Sequence, residues 1–317
     1  MDVALLENKK GSFPSWDEEQ KILASFFMNI RSSLTEKAYR AATLEFFQLV
    51  SSDVRHPTDL QRHHLVFYRR YLEEKGLAPK TIQKKLAAFS SLCRYLAEAG
   101  LVGKDIAYGV ARPPSENKRE TADVSDSDVK RIFAGLNQGS YTFASHRAIL
   151  SIGFYVGLRS TEIRNLRIKN IGVSGGLQIL NLKVKGDKIH EILLHPFVLT
   201  ALDVHLNVLK ERGFKIDDKN HVLFPSLKTG ENRPMSAEAL NYIFQSALRR
   251  AGISRNTFQR YSPHSMRATF AGHLLNSLEA RLVDVQRAMG HVNPATTQRY
   301  NKRLKSHDKS PIYKIEY

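Results

Sequence analysis

The stretch from His264 to Tyr300, HSMRATFAGHLLNSLEARLVDVQRAMGHVNPATTQRY, decides how this chain is read. Pro263, just before it, suits the first turn of a helix, where a missing N–H costs nothing. In that helix His264 and Arg267 lie three residues apart, a spacing that puts both on one face. The free backbone N–H groups of such a first turn also favour an anion. A second helical run, RLVDVQRAMG, closes on Gly290, and His291 follows it. Tyr300 comes nine residues after His291, with Thr296 and Thr297 between them.

Two further strings lie upstream and make four with HSMR (264–267) and GHVNPATTQRY (290–300). Two β-prone runs, LQILNLKVK and KIHEILLHP, flank Gly186-Asp187, and a two-residue loop with glycine first signals a type II′ hairpin. Its tip, VKGDK (184–188), carries Lys185; Lys183 shares its strand face by alternation, and Lys188 is a second competitor. Further upstream, GLRSTEI (157–163) supplies Arg159 and, three residues on, Glu162. Each string alone is a weak signal. All of them in this order on a basic chain form a specific combination.

The N-terminal third is helical from Ser25 to about Ala107. In LTEKAYRAATLEFFQLV the apolar residues Tyr39, Phe46 and Val50 recur on one face, and Ser33 or Thr35 is placed to cap the helix. A second helix, DLQRHHLVFYRRYLEEKG, stops at Gly76, and a third, KTIQKKLAAFSSLCRYLAEAG, at Gly100. Lys80, Lys84 and Lys85 make a basic ridge on the third. The polar segment GVARPPSENKRET (109–121) has two adjacent prolines and no periodicity, so it reads as a linker. SDSDVKRIFAGL then opens a new helix, with Ser125 or Ser127 as cap. The organisation expected is a leader over 1–20, a helical N-terminal domain over 21–107, a linker over 108–122 and a second domain over 123–317, of which 301–317 is a tail.

Composition narrows the function. The 317 residues carry 48 Lys+Arg against 31 Asp+Glu, a net charge of +17, which favours a polyanionic partner. Residues 1–106 hold 16 basic and 13 acidic residues, so most of the excess lies in the C-terminal two-thirds. One cysteine, Cys93, excludes an internal disulfide and a cysteine-rich zinc site. His264 and His291 lack nearby Asp or Glu at ligand spacing, which disfavours a metal-dependent nuclease. No signal peptide and no uninterrupted apolar run long enough for a membrane span is present, so a cytoplasmic, nucleoid-associated protein is expected.

The four strings resemble the catalytic signature of the tyrosine recombinase/phage integrase family, especially its Xer-type bacterial members. The helical residues 25–106 also resemble that family's DNA-clamping N-terminal domain. The resemblance implies a mainly α fold: an α+β catalytic domain with a small β-hairpin or sheet, joined to the helical domain in a C-shaped clamp around duplex DNA. It implies that Arg159, Lys185, His264, Arg267, His291 and Tyr300 are catalytic, with Tyr300 the nucleophile. No cofactor is needed.

The chemistry explains those residue types. A phosphodiester resists nucleophiles until its oxygens are neutralised, and arginine offers an always-protonated fork that suits phosphate. Arg159 and Arg267 fit that role, with Glu162 orienting Arg159. By resemblance His264 assists proton transfer at the tyrosine, His291 donates to the phosphate and Lys185 protonates the departing 5′-oxygen. A 3′-phosphotyrosyl intermediate conserves bond energy, so rejoining requires no ATP. The first 20 or so residues are too few for an arm-site domain, which favours a simple enzyme acting on paired short sites. The working unit implied is a homotetramer on two duplexes, alone or with a second recombinase or an accessory protein. The rival readings are a type IB topoisomerase-like enzyme, a non-catalytic sequence-specific DNA-binding protein and an RNA-binding protein.

Overall fold

The computed structural model describes residues 17–54, 59–114, 122–183, 189–226, 231–253 and 261–301. Lys185, the Gly186-Asp187 turn, part of the linker and the tail from 302 onward lie outside the described residues. The chain divides into two compact units, Met1–Lys118 and Arg119–Tyr317. As expected, it is mainly helical with one small sheet.

The first unit contains α1 (Asp17–Met28), α2 (Ser33–Val50), α3 (Arg62–Glu74) and α4 (Pro79–Glu98). Helix α1 begins inside the stretch read as leader. The cap of α2 is Ser32, not Ser33 or Thr35: Ser32 keeps an extended backbone and accepts from the Thr35 N–H at 3.3 Å, while Ser33 is already helical. Phe46 and Val50 are buried against Phe47, Leu65, Tyr68 and Phe89, with Tyr39 packed at the margin. Gly76 and Gly100 follow α3 and α4 in the left-handed region, at φ +68° and +74°.

The second unit holds α5 (Asp126–Ala134), α6 (Phe143–Tyr155), α7 (Ser160–Asn165), strands β1 (Ile171–Ser174), β2 (Leu177–Lys183) and β3 (Ile189–Leu193), then α8 (Pro196–Glu211), α9 (Ala237–Arg250), α10 (Pro263–Gly272), α11 (Leu282–Ala288) and α12 (Pro294–Gln298). Ser125 caps α5. Helix α6 is apolar nearly all round because it runs through the core, between Ile132, Leu202, Phe244 and Met266.

The sheet is antiparallel in the order β1-β2-β3, so it has one strand more than the hairpin expected from sequence. Ser174 pairs with Leu177, leaving Gly175-Gly176 as a two-residue turn with both φ positive, +58° and +78°. Between β2 and β3 the residues expected to form the two-residue loop lie outside the described residues. The last described pair of the two strands is Lys183 with Ile189.

Candidate active site

Gly157 starts the site. It turns the chain out of α6 at φ +67°, and a Cβ there would lie 2.3 Å from Cδ1 of Phe270 on α10. Glycine therefore meets both a backbone and a packing requirement. Two residues later Arg159 caps α7 in extended backbone. The Glu162 carboxylate accepts from the Arg159 backbone N–H at 2.7 Å and from its Nη1 at 2.7 Å. One carboxylate thus fixes both ends of Arg159, whose side chain remains 42% exposed.

Helix α10 supplies His264 and Arg267. Pro263 occupies its first turn, and Met266 faces the core, where it leaves no space for a Cβ on Gly153. Arg267 is buried, only 2% exposed. Its Nη1 donates to the Gly157 carbonyl at 2.5 Å, and its Nη2 to the Met289 carbonyl at 2.7 Å and to His291 Nε2 at 2.8 Å. Its Nε–H finds no partner among the described residues. Burial, then the charge of Arg159, lowers its pKa to about 10, so it stays protonated at neutral pH.

The turn after α11 places His291. Gly290 adopts φ +59°, and a Cβ on it would come 2.9 Å from Nδ1 of His190 on β3, so the sheet closes against this turn. His291 is nearly buried, and Nδ1 lies 2.9 Å from Thr297 Oγ1. Burial first, then Arg267, Arg159 and His264, depress its pKa to about 4, leaving a neutral ring. An arginine can only donate, so Nε2 is the acceptor and the ring proton sits on Nδ1, directed at Thr297.

Asn293 caps α12 by accepting from the Ala295 N–H. Tyr300 follows the helix. Its ring stacks on that of His291, with centroids 6.4 Å apart and planes 11° apart, and its hydroxyl lies 3.2 Å from His264 Nε2. The Asn276 amide, from a π-helical turn over His273–Ser277, donates to the Tyr300 carbonyl at 3.1 Å. Burial raises the phenol above its ordinary range, against the opposing pull of Arg267, Arg159 and Arg299. A proton acceptor is therefore required at neutral pH. His264 qualifies, because burial and then Arg267 and Arg159 lower its pKa and favour the neutral ring.

Six residues singled out from sequence thus converge: Arg159, Glu162, His264, Arg267, His291 and Tyr300. The end of β2 approaches them, since Leu182 and Lys183 share a hollow of about 310 Å³ with Thr161, Glu162 and Asn165. In this geometry both ring nitrogens of His291 are engaged within the protein, Nε2 by Arg267 and Nδ1 by Thr297. Sequence reading missed two contacts, Thr297 to His291 and Asn276 to Tyr300. The position of Thr297 between His291 and Tyr300 was a usable signal; nothing local marks Asn276. In the first unit Lys80 and Lys84 are exposed on α4, whereas Lys85 is half-buried and ion-paired with Glu45.

Residues 123–307 match the model of the phage integrase family, and residues 28–100 match that of the phage integrase N-terminal SAM-like domain. The tyrosine recombinase XerC of Lactobacillus leichmannii is 27% identical over 241 residues, covering 76% of this chain and 78% of that protein. The XerC of Neisseria meningitidis is 27% identical over 278 residues, covering 86% of each. Among solved structures, the post-cleavage complex of the XerH site-specific recombinase with palindromic difH superposes with a TM-score of 0.70 at 17% identity, over 96% of this chain and 91% of that one. That likeness is one of fold.

Proposed function

The chain belongs to the phage integrase family, and on that premise we propose that it is a site-specific DNA recombinase using Tyr300 as nucleophile. The single observation that carries the reading is the Tyr300 hydroxyl 3.2 Å from His264 Nε2, within the field of Arg159 and Arg267. A non-catalytic DNA-binding module has no use for that pair.

Tyr300 attacks the scissile phosphorus while His264 takes the phenolic proton. The P–O bond to the 5′-oxygen breaks, and Lys185 protonates that oxygen as it leaves. Arg159, held by Glu162, and the buried Arg267 offset the charge that builds on the phosphate oxygens. The 3′-phosphotyrosyl bond keeps the energy of the bond it replaces, so attack by a 5′-hydroxyl reverses the sequence without ATP. Strand exchange between two short duplex sites follows when that hydroxyl comes from the partner duplex, in a homotetramer acting beside the nucleoid in the cytoplasm. The net charge of +17 supports duplex DNA as substrate, with Lys80, Lys84 and Lys85 as backbone contacts of the first unit. No helix among the described residues is long and apolar enough to cross a membrane.

Duplexes selected by the protein from a random-sequence library, nicked so that the cleaved end diffuses away, test the proposal. A covalent protein–DNA band without added metal or ATP is expected; its absence on DNA that the protein binds tightly would overturn the assignment.

A further inference from the structure

Thr297 has no role in the chemistry above, yet it is fully buried one helical turn before the nucleophile. Its hydroxyl lies 2.9 Å from His291 Nδ1, and the other ring nitrogen accepts from Arg267 at 2.8 Å. A neutral imidazole has one donor and one acceptor, so the partner on one nitrogen dictates what the other can do. Here Thr297 accepts from Nδ1–H, and Nε2 is left as an acceptor for Arg267. In that state His291 offers the scissile phosphate no hydrogen-bond donor.

A threonine hydroxyl can reverse its direction: it accepts with its lone pairs or donates with its O–H. We propose that Thr297 is the positioning residue that sets the tautomer of His291, accepting from Nδ1 while Nε2 is held by Arg267 and donating to Nδ1 when Nε2–H turns to the phosphate. The inference rests on the recombinase reading. The interconversion is charge-neutral: one proton leaves Nδ1 for solvent and one arrives at Nε2 from solvent. Arg267 releases Nε2 in the same change and keeps its bonds to the Gly157 and Met289 carbonyls. The stacking of the His291 and Tyr300 rings lets the same contact steady the nucleophile.

Three proteins separate hydroxyl chemistry from shape. Thr297→Val keeps the volume and loses the hydroxyl; Thr297→Ser keeps the hydroxyl and loses a methyl group. On a library-selected, nicked duplex, Thr297→Val should form the covalent adduct more slowly by on the order of 10–100-fold, with binding unchanged, as for loss of an orienting partner of a functional histidine. Thr297→Ser should stay within about threefold of wild type. Ring-nitrogen NMR of ¹⁵N-histidine-labelled protein without DNA should place the His291 proton on Nδ1 in wild type and in Thr297→Ser. A wild-type adduct rate in Thr297→Val, equal defects in both variants, or a proton on Nε2 in the DNA-free protein would each overturn the proposal. The ring measurement needs no DNA, so it decides the Thr297 assignment even if no adduct ever forms, and the two readings fail separately.

Discussion

Gly157→Ala perturbs the site at the point where backbone, packing and charge meet. The left-handed backbone at φ +67° costs an L-residue about 1–2 kcal/mol. The added methyl would start 2.3 Å from a Phe270 ring carbon, and overpacking of this kind adds about 1–3 kcal/mol. The expected loss is therefore about 2–5 kcal/mol. Gly213→Ala is the internal control: its φ is +77° and nothing lies within 4 Å of its Cβ, so only the backbone part, about 1–2 kcal/mol, applies. Hydrogen exchange in urea, read on peptides of α6 and α10, reports the opening free energy of this unit within the full chain. Gly157 also accepts from Arg267, so the shift that relieves the clash moves that guanidinium. A displacement of about 1 Å near a reacting centre costs on the order of 10²-fold in rate. Folded Gly157→Ala, assayed at low temperature, should therefore bind DNA and cleave it slowly. Equal destabilisation by the two substitutions, or a wild-type cleavage rate in Gly157→Ala, would refute the packing argument.

Two other expectations follow from the site and the core. Lys185→Ala should cleave ordinary duplex more slowly by about 10²–10⁴-fold, and sulfur in place of the bridging 5′-oxygen should largely restore it, because a thiolate leaves without a proton. Arg159→Ala should stay defective on both substrates; equal failure of Lys185→Ala on both would remove Lys185 as the acid, and rescue of Lys183→Ala instead would move the role there. Buried His205 accepts from the Ser145 hydroxyl and donates to the Leu223 carbonyl, and burial pushes its pKa down to about 4. The unfolded chain binds the extra proton first, so this contribution is complete above pH 6.5 and is lost as pH falls toward 4, by up to about 3 kcal/mol. His205→Gln should flatten the fall in stability between pH 7 and 5, measured by the same exchange method; an unchanged slope would exclude His205 as its source.

The legible parts of the chain were those in which local chemistry and the final fold agree. Gly76 and Gly100 end helices because each takes a left-handed φ, and the apolar face of α2 packs as its periodicity requires. The candidate site was legible through residue types whose combination suits phosphate chemistry, and the fold brings six of them together. The misreadings have physical causes. Strand β1 is four residues long and half-exposed, so it carries little hydrophobic pattern, although Gly175-Gly176 was a turn signal of its own. Asn276 reaches Tyr300 through a π-helical turn, a distortion with no periodic trace in the sequence. The direction of the Arg267–His291 bond depends on burial and on Thr297, which are tertiary facts.

The nucleophile is the central claim, and one measurement reaches it directly. Wild-type protein and Tyr300→Phe are each incubated with the library-selected nicked duplex, and any adduct is digested and mapped by mass spectrometry. Wild type should yield one peptide carrying a nucleotide 3′-phosphate on Tyr300. Tyr300→Phe, which loses only a hydroxyl, should bind the same DNA and yield none. An adduct in Tyr300→Phe, or a wild-type adduct on any other residue, would contradict the account.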